Sequence, residues 1–256
     1  MPLSFRDFLA ASPPLDRALC LTHSTSATSA VVALEELMLR TRPCDEYPPE
    51  ELLYLFYGRP AYKPASVVCA ANMPELLPVC FIVDPSVLNT AKRILPFDSG
   101  GFPRYHPLLG PELSRSDFEL VGDASAPARI VGGFYQSNRR YFDQQPALDA
   151  NDIPLSRLAA RGYARLIADP ALADDDDRRG SIEVQLAADL PLQDVLRAIV
   201  APPALFKDPV VLAALAACPD VDLISYPTYG RHRPQDYALL IYDRVDSFLT
   251  SKEAFA

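Results

Sequence analysis

The apolar runs of this chain are short and fenced by residues that interrupt regular structure. The strongest, Pro-Val-Cys-Phe-Ile-Val-Asp at 78–84, is β-branched and lies between Pro78 and Pro85, which predicts a short central strand. None of these runs approaches the ~20 residues that a bilayer crossing needs, so no membrane span is expected. With 26 prolines against 10 glycines, 49% hydrophobic and 22% charged residues, the composition excludes disorder, collagen, a coiled coil and a disulfide-stapled miniprotein. A single α+β domain over residues 1–256 is the expectation.

Residues 1–22 carry Arg6, Asp7, Asp16 and Arg17 with Pro13 and Pro14 between them, which is not the basic flank and apolar stretch of a signal peptide. A cytoplasmic chain is therefore expected. The cysteines at 20, 44, 69, 80 and 218 include no Cys-x-x-Cys pair and read as reduced thiols. Cys20 and His23 have a spacing that begins a metal site, but no second pair follows, so no metal is expected. The formal net charge of -9 argues against general coating of nucleic acid. The stretch from Asn89 to Arg140 is locally mildly basic, and its pairs Lys92-Arg93 and Arg139-Arg140 are candidates for steering a polyanion.

Leu19, Leu21 and His23 alternate with Cys20 and Thr22, which predicts a strand over 18–23 ending in a polar turn. Ser24, Thr25 and Ser26 then offer cap hydroxyls for a helix carrying Val31, Leu34, Leu37 and Met38 up to Arg40. The run from Glu50 to Tyr57 fits a helical turn or a strand. From Leu95 to about Ala150 the pattern breaks into Gly, Pro, Asp and aromatic residues, which predicts a long loop insertion able to cover a site. Further on, helices are expected near Leu155 to Ala168, Leu192 to Val200 and Pro209 to Ala217, a strand at Leu223 to Tyr226, and an ordered stretch from Tyr237 to Phe248. In Ser181-Ile182-Glu183-Val184-Gln185-Leu186, the apolar residues take one face and Glu183 stands on the other, polar one.

There is no Gly-x-Ser-x-Gly elbow, no Gly-x-Gly-x-x-Gly and no Gly-Lys-Ser/Thr, which disfavours hydrolase triads and classical nucleotide folds. What remains is an ordered series: Leu21-Thr22-His23-Ser24-Thr25, then Phe56-Tyr57-Gly58-Arg59-Pro60-Ala61-Tyr62, then Ser181-Ile182-Glu183-Val184-Gln185. This order resembles the ADP-ribosyltransferase fold of the His/Tyr/Glu branch, and more narrowly DarT-like toxins that modify DNA. The resemblance spans about Ala18 to Ile199. The long insertion and the acidity of the chain depart from the DarT pattern and put the DNA target in question.

The resemblance implies a split β-sandwich with flanking helices that transfers ADP-ribose from NAD to a macromolecular acceptor, nucleic acid or protein. A role as a toxin with an antitoxin partner, or in phage defence, is implied by it alone. Glu183 would stabilise the positive charge that develops on the ribose as nicotinamide leaves. Arg59 would clamp the pyrophosphate, and Tyr57 or Tyr62 would give the nicotinamide an aromatic face. His23 would donate to a ribose hydroxyl or hold the adenosine end, with Thr25 beside it. Each position has a plain alternative: Glu183 paired with Arg178 or Arg179, His23 at a helix entry, Tyr57 and Tyr62 in the core or at its rim, Arg59 at the surface. The rival function is a non-catalytic α+β binding or scaffold protein.

Overall fold

A computed structural model describes residues 4–61, 73–170, 177–230 and 232–255. Tyr62, Cys69 and the acidic residues 174–176 lie outside the described residues. The chain is α+β. A short capped helix α1 (Phe5–Ala10) leads into β1 (Leu21–Ser26), which begins later than the alternation predicts. Of the three candidate caps it is Ser26 whose hydroxyl accepts the Ser29 backbone N–H, at 3.3 Å, so the strand runs on through His23 before α2 (Ala27–Glu35) starts. Strands β2 (Met38–Leu39), β3 (Arg42–Pro43), β4 (Glu51–Tyr57), β5 (Pro78–Val83) and β6 (Arg93–Leu95) follow, and the ambiguous run at 50–57 is thus a strand.

Between β6 and β7 (Glu183–Leu186) come α3 (Phe102–Leu109), α4 (Ala126–Phe134), α5 (Asn138–Phe142) and α6 (Leu158–Ala168). The expected loop insertion at 95–150 is therefore corrected to a layer of short helices. Pro103 and Pro127 sit in first turns, where a missing N–H costs nothing, so residues that read as breakers are helix starts. Aromatic rings make this layer's core: Phe134 meets Tyr163 at 4.7 Å, Phe97 meets Phe118 at 5.2 Å, and Phe5 meets Phe118 at 5.4 Å. Helices α3 and α6 touch at Gly162, where an added Cβ would stand 2.1 Å from the Leu109 carbonyl oxygen. Gly162→Ala is expected to lower stability by about 1–3 kcal/mol in urea unfolding; an unchanged midpoint would mean that these helices are not in contact there.

The chain continues through β8 (Leu190–Pro191), β9 (Leu196–Ala201), α7 (Pro209–Leu215), β10 (Asp222–Ser225) and α8 (Ala238–Ser251). The helix expected at 192–200 is instead strand β9. Leu192, Val195, Leu196 and Ile199 do fit a helical stripe, but β9 is paired on both edges and buries a continuous run from Ala198 to Ala201.

The strand order is β10-β9-β5-β1-β4-β7-β6, with β3 on the edge of β4 and β2 pairing β8 separately. All neighbours on the main path are antiparallel except β10 and β9. One path joins seven strands of the large sheet, and the two-stranded β2–β8 sheet stands apart from it. The middle seam of the large sheet is narrow. β1 pairs with β5 from Leu21 to Ser26, but with β4 only through Leu21–Tyr57 and Thr22–Phe56. Beyond Thr22 the two strands part. No helix among the described residues is long and apolar enough to cross a membrane.

Candidate active site where the central strands part

His23 occupies the start of the gap between β1 and β4. Its Nδ1 lies 2.8 Å from the Tyr54 carbonyl oxygen. A carbonyl only accepts, so Nδ1 carries the hydrogen. Burial holds the imidazole pKa below its ordinary value, against the pull of that carbonyl and with help from the nearby Arg42 charge. The ring is thus neutral, with its lone pair on Nε2. In this tautomer the neutral ring can accept from a hydroxyl through Nε2.

Strand parity decides which β4 residues face the site. Leu53, Leu55 and Tyr57 are buried in the core, while Tyr54 and Phe56, on the other face, are half-buried. The register aligns Phe56 with Glu183 and Leu95, and Tyr54 with Gln185 and Arg93, so that two rows of side chains cross β4, β7 and β6. The polar face of β7 is not solvated, as the alternation alone suggests. Glu183 is 1% exposed, roofed by the segment that follows β6.

The carboxylate of Glu183 accepts from two donors. The Ser99 backbone N–H reaches Oε2 at 3.1 Å, and Gln185 Nε2 reaches Oε1 at 2.6 Å. Both favour the charged form. Burial and the neighbouring Asp98 carboxylate outweigh them and push the pKa up to about 8. Asp98 pairs with Arg178 and also accepts the Gly100 N–H at 3.0 Å. Glu183 is accordingly not the surface partner of Arg178 or Arg179: the first pairs with Asp98, and the second donates to the Asp169 carbonyl at 2.7 Å.

Two hollows open on either side of His23, Ser24, Pro43 and Tyr54, which form their common wall. The inner one, of about 400 Å³, is floored by Glu183, Phe56, Asp98 and Ser99. The outer one, of about 390 Å³, is lined by Thr25, Thr28, Ser29, Arg40 and Arg42. Each is of a size that takes half of a dinucleotide or one small molecule. No group of three or more metal-ligating side chains gathers among the described residues.

Glu183 and His23 therefore line one hollow despite their separation in sequence, Thr25 lines the neighbouring outer one with His23, and Tyr57 and Arg59 line neither. Tyr57 has the wrong parity: its ring is in the core and its hydroxyl accepts the Leu19 N–H at 2.9 Å. Gly58 turns the chain with φ +67°, and a side chain there would meet Leu19. Arg59, 3% exposed, follows this turn to the opposite side. Its Nη1 donates to the Phe142 carbonyl, its Nε donates to Ser181 Oγ at 3.2 Å, and its guanidinium lies 5.0 Å from the Tyr242 ring. It lines a different hollow, with Arg139 and Asp246.

The proposed steering pairs are also engaged. Lys92 and Arg93 both reach Glu50, Arg139 pairs with Asp143 and Asp246, and Arg140 holds the Gln145 and Pro146 carbonyls. Sequence reasoning missed Tyr54, Phe56, Asp98, Ser99 and Arg42. No protein-family model matches the sequence, and no curated protein does.

Proposed function

We propose that this chain is an NAD-dependent ADP-ribosyltransferase that modifies a macromolecular acceptor in the cleft between β1 and β4. The observation that carries the reading is the meeting of the Glu183 carboxyl and the His23 imidazole on one hollow, at the place where the sheet splits. The residues present suit a dinucleotide. Tyr54 and Phe56 offer aromatic surface to a nicotinamide ring on the inner side, and His23 Nε2 accepts from a ribose hydroxyl. Arg42 on the outer side replaces Arg59 as the cation for a pyrophosphate.

In this reading the bond between nicotinamide and ribose breaks as positive charge builds on the sugar. Glu183, fixed by two donors in a buried site, interacts with that charge more strongly in the transition state than in the ground state. A positive charge beside the carboxyl also favours its ionised form, which offsets the effect of burial. The acceptor nucleophile bonds to the anomeric carbon as nicotinamide departs, inverting its configuration.

The first test is thermal. NAD is expected to raise the melting temperature in proportion to the logarithm of its concentration above Kd. Incubation with NAD and cell extract, or with DNA, RNA or protein separately, is expected to release nicotinamide, with Glu112→Ala, an exposed change away from the cleft, behaving as wild type. Neither a shift nor release under any acceptor condition would favour a non-catalytic binding protein instead.

A further inference from the structure

Gln185 follows Glu183 by two residues on β7, on the same face, and is completely buried. Arg93 Nη1 donates to its side-chain oxygen at 2.6 Å. A guanidinium has no acceptor, so the amide oxygen must face Arg93 and the NH2 must face the other way. There it meets Glu183 Oε1 at 2.6 Å, with Ser99 Oγ at 3.4 Å. The orientation of the amide is thus dictated from behind.

Arg93 is itself immobilised. Its Nη2 reaches Glu50 at 3.1 Å, its Nε lies 3.4 Å from Glu119, and its guanidinium stacks 3.9 Å from the centre of the Tyr47 ring. Arg115 lies 4.0 Å from the same ring centre, so Tyr47 is held between two guanidiniums. The Tyr47 hydroxyl donates to Glu119 at 2.9 Å, and Arg115 pairs at 2.8 Å with Glu46, which lines the inner hollow. The network runs from the rim of the cleft, around the turn between β3 and β4, and back to the carboxyl on its floor.

We propose that Gln185 is a positioning residue for Glu183, its amide oriented by Arg93, and that the 46–50 turn braces the carboxyl through this pair. The proposal rests on the reading of Glu183 as the group beside the reacting bond. A carboxyl held on one oxygen by Gln185 and on the other by Ser99 cannot rotate about its terminal torsion without losing both bonds. Removing the Gln185 donor leaves Ser99 alone to hold the carboxyl, and a misplacement of about 1 Å at a reacting centre costs up to about a hundredfold in rate. The other titratable or charged groups that face Glu183 are Asp98 and Arg178 from the roof, His23 from β1, Tyr54 from β4, and Cys44, Asp45 and Glu46 from the turn. None of them takes the place of this donor on Oε1.

The test uses Gln185→Met, which keeps length and loses the donor, and Gln185→Glu, which keeps the Arg93 pairing but turns an acceptor toward Glu183. The carboxyl titration of Glu183 is followed by 13C NMR, with the resonance assigned by its loss in Glu183→Gln. It is expected to move upward by about one pH unit in Gln185→Met and further in Gln185→Glu, because hydrogen bonds to the charged form are lost. Where wild type releases nicotinamide, kcat is expected to fall on the order of 10- to 100-fold with KM for NAD within about twofold. A titration that stays put in both folded variants, or an unchanged kcat, overturns the positioning role. If wild type neither binds nor cleaves NAD, the transferase reading falls, and the titration by itself still decides whether Gln185 holds the carboxyl.

Discussion

Glu183→Gln is expected to lose NAD-dependent nicotinamide release by about 10²–10³-fold and, in the same preparation, to become progressively more stable than wild type as the pH is raised. Both effects come from one carboxyl. The loss of activity follows from removing the negative charge that faces the developing positive charge on the sugar. The stability effect follows from burial, with the Asp98 carboxylate alongside, which raises the folded pKa to about 8 from an ordinary value near 4.5.

A carboxyl with a raised folded pKa contributes its full stability below the unfolded value and loses it as pH rises through the folded one. The free-energy difference between variant and wild type should therefore grow from about pH 4.5 to about pH 8 and level off above. Each pH unit across that window is worth at most about 1.4 kcal/mol, so the total is of the order of a few kcal/mol. The intercept is less favourable than the slope. An amide at 183 can accept from Gln185 through its oxygen, but it then turns its NH2 toward the Ser99 N–H, donor against donor. Urea unfolding at five or six pH values separates slope from intercept, and parallel curves would show that Glu183 is ionised in the resting protein.

What the sequence disclosed of this site, and what it concealed, follows from the range of the interactions involved. β5 was legible because Pro78 and Pro85 fence a β-branched run, and the alternation around Glu183 was legible because parity is local. The burial of that polar face was not, because its roof is supplied by Ser99, far away in the chain. Composition does not tell Tyr57 in the core from Tyr54 in the cleft, because β4 is apolar on both faces: Leu53, Leu55 and Tyr57 fill the core while Phe56 and Tyr54 border the hollow. β9 fits a helical stripe for the same reason, since its residues from Ala198 to Ala201 are buried on both faces and no alternation reveals its period. Helices α3 and α4 are hidden by prolines that serve as starts.

Arg59→Met is expected to cost about 3 kcal/mol or more in stability, which for a chain of this size lowers the melting temperature by roughly 6–12 °C, while leaving the affinity of the folded protein for NAD within about twofold. The guanidinium closes the carboxyl end of α5, donating to the carbonyls of Phe142 and Tyr141, and ties it to Ser181 at the approach to β7. Methionine fills much of the same volume against Phe142 and Tyr242 but donates nothing, so the buried Phe142 carbonyl loses this donor and the tie from β4 to Ser181 is cut. Helix α5 feels this directly, because the Tyr141 hydroxyl both donates to the Tyr57 carbonyl and accepts the Ile182 N–H, joining β4 to the segment that delivers Glu183. A pyrophosphate clamp predicts the reverse pattern, with binding weakened tenfold or more and stability nearly intact. Measuring the melting temperature without ligand and the NAD affinity well below it distinguishes the two. Large loss of affinity in an otherwise stable variant would return Arg59 to the site and require the side chain to swing away from α5 when the cleft fills.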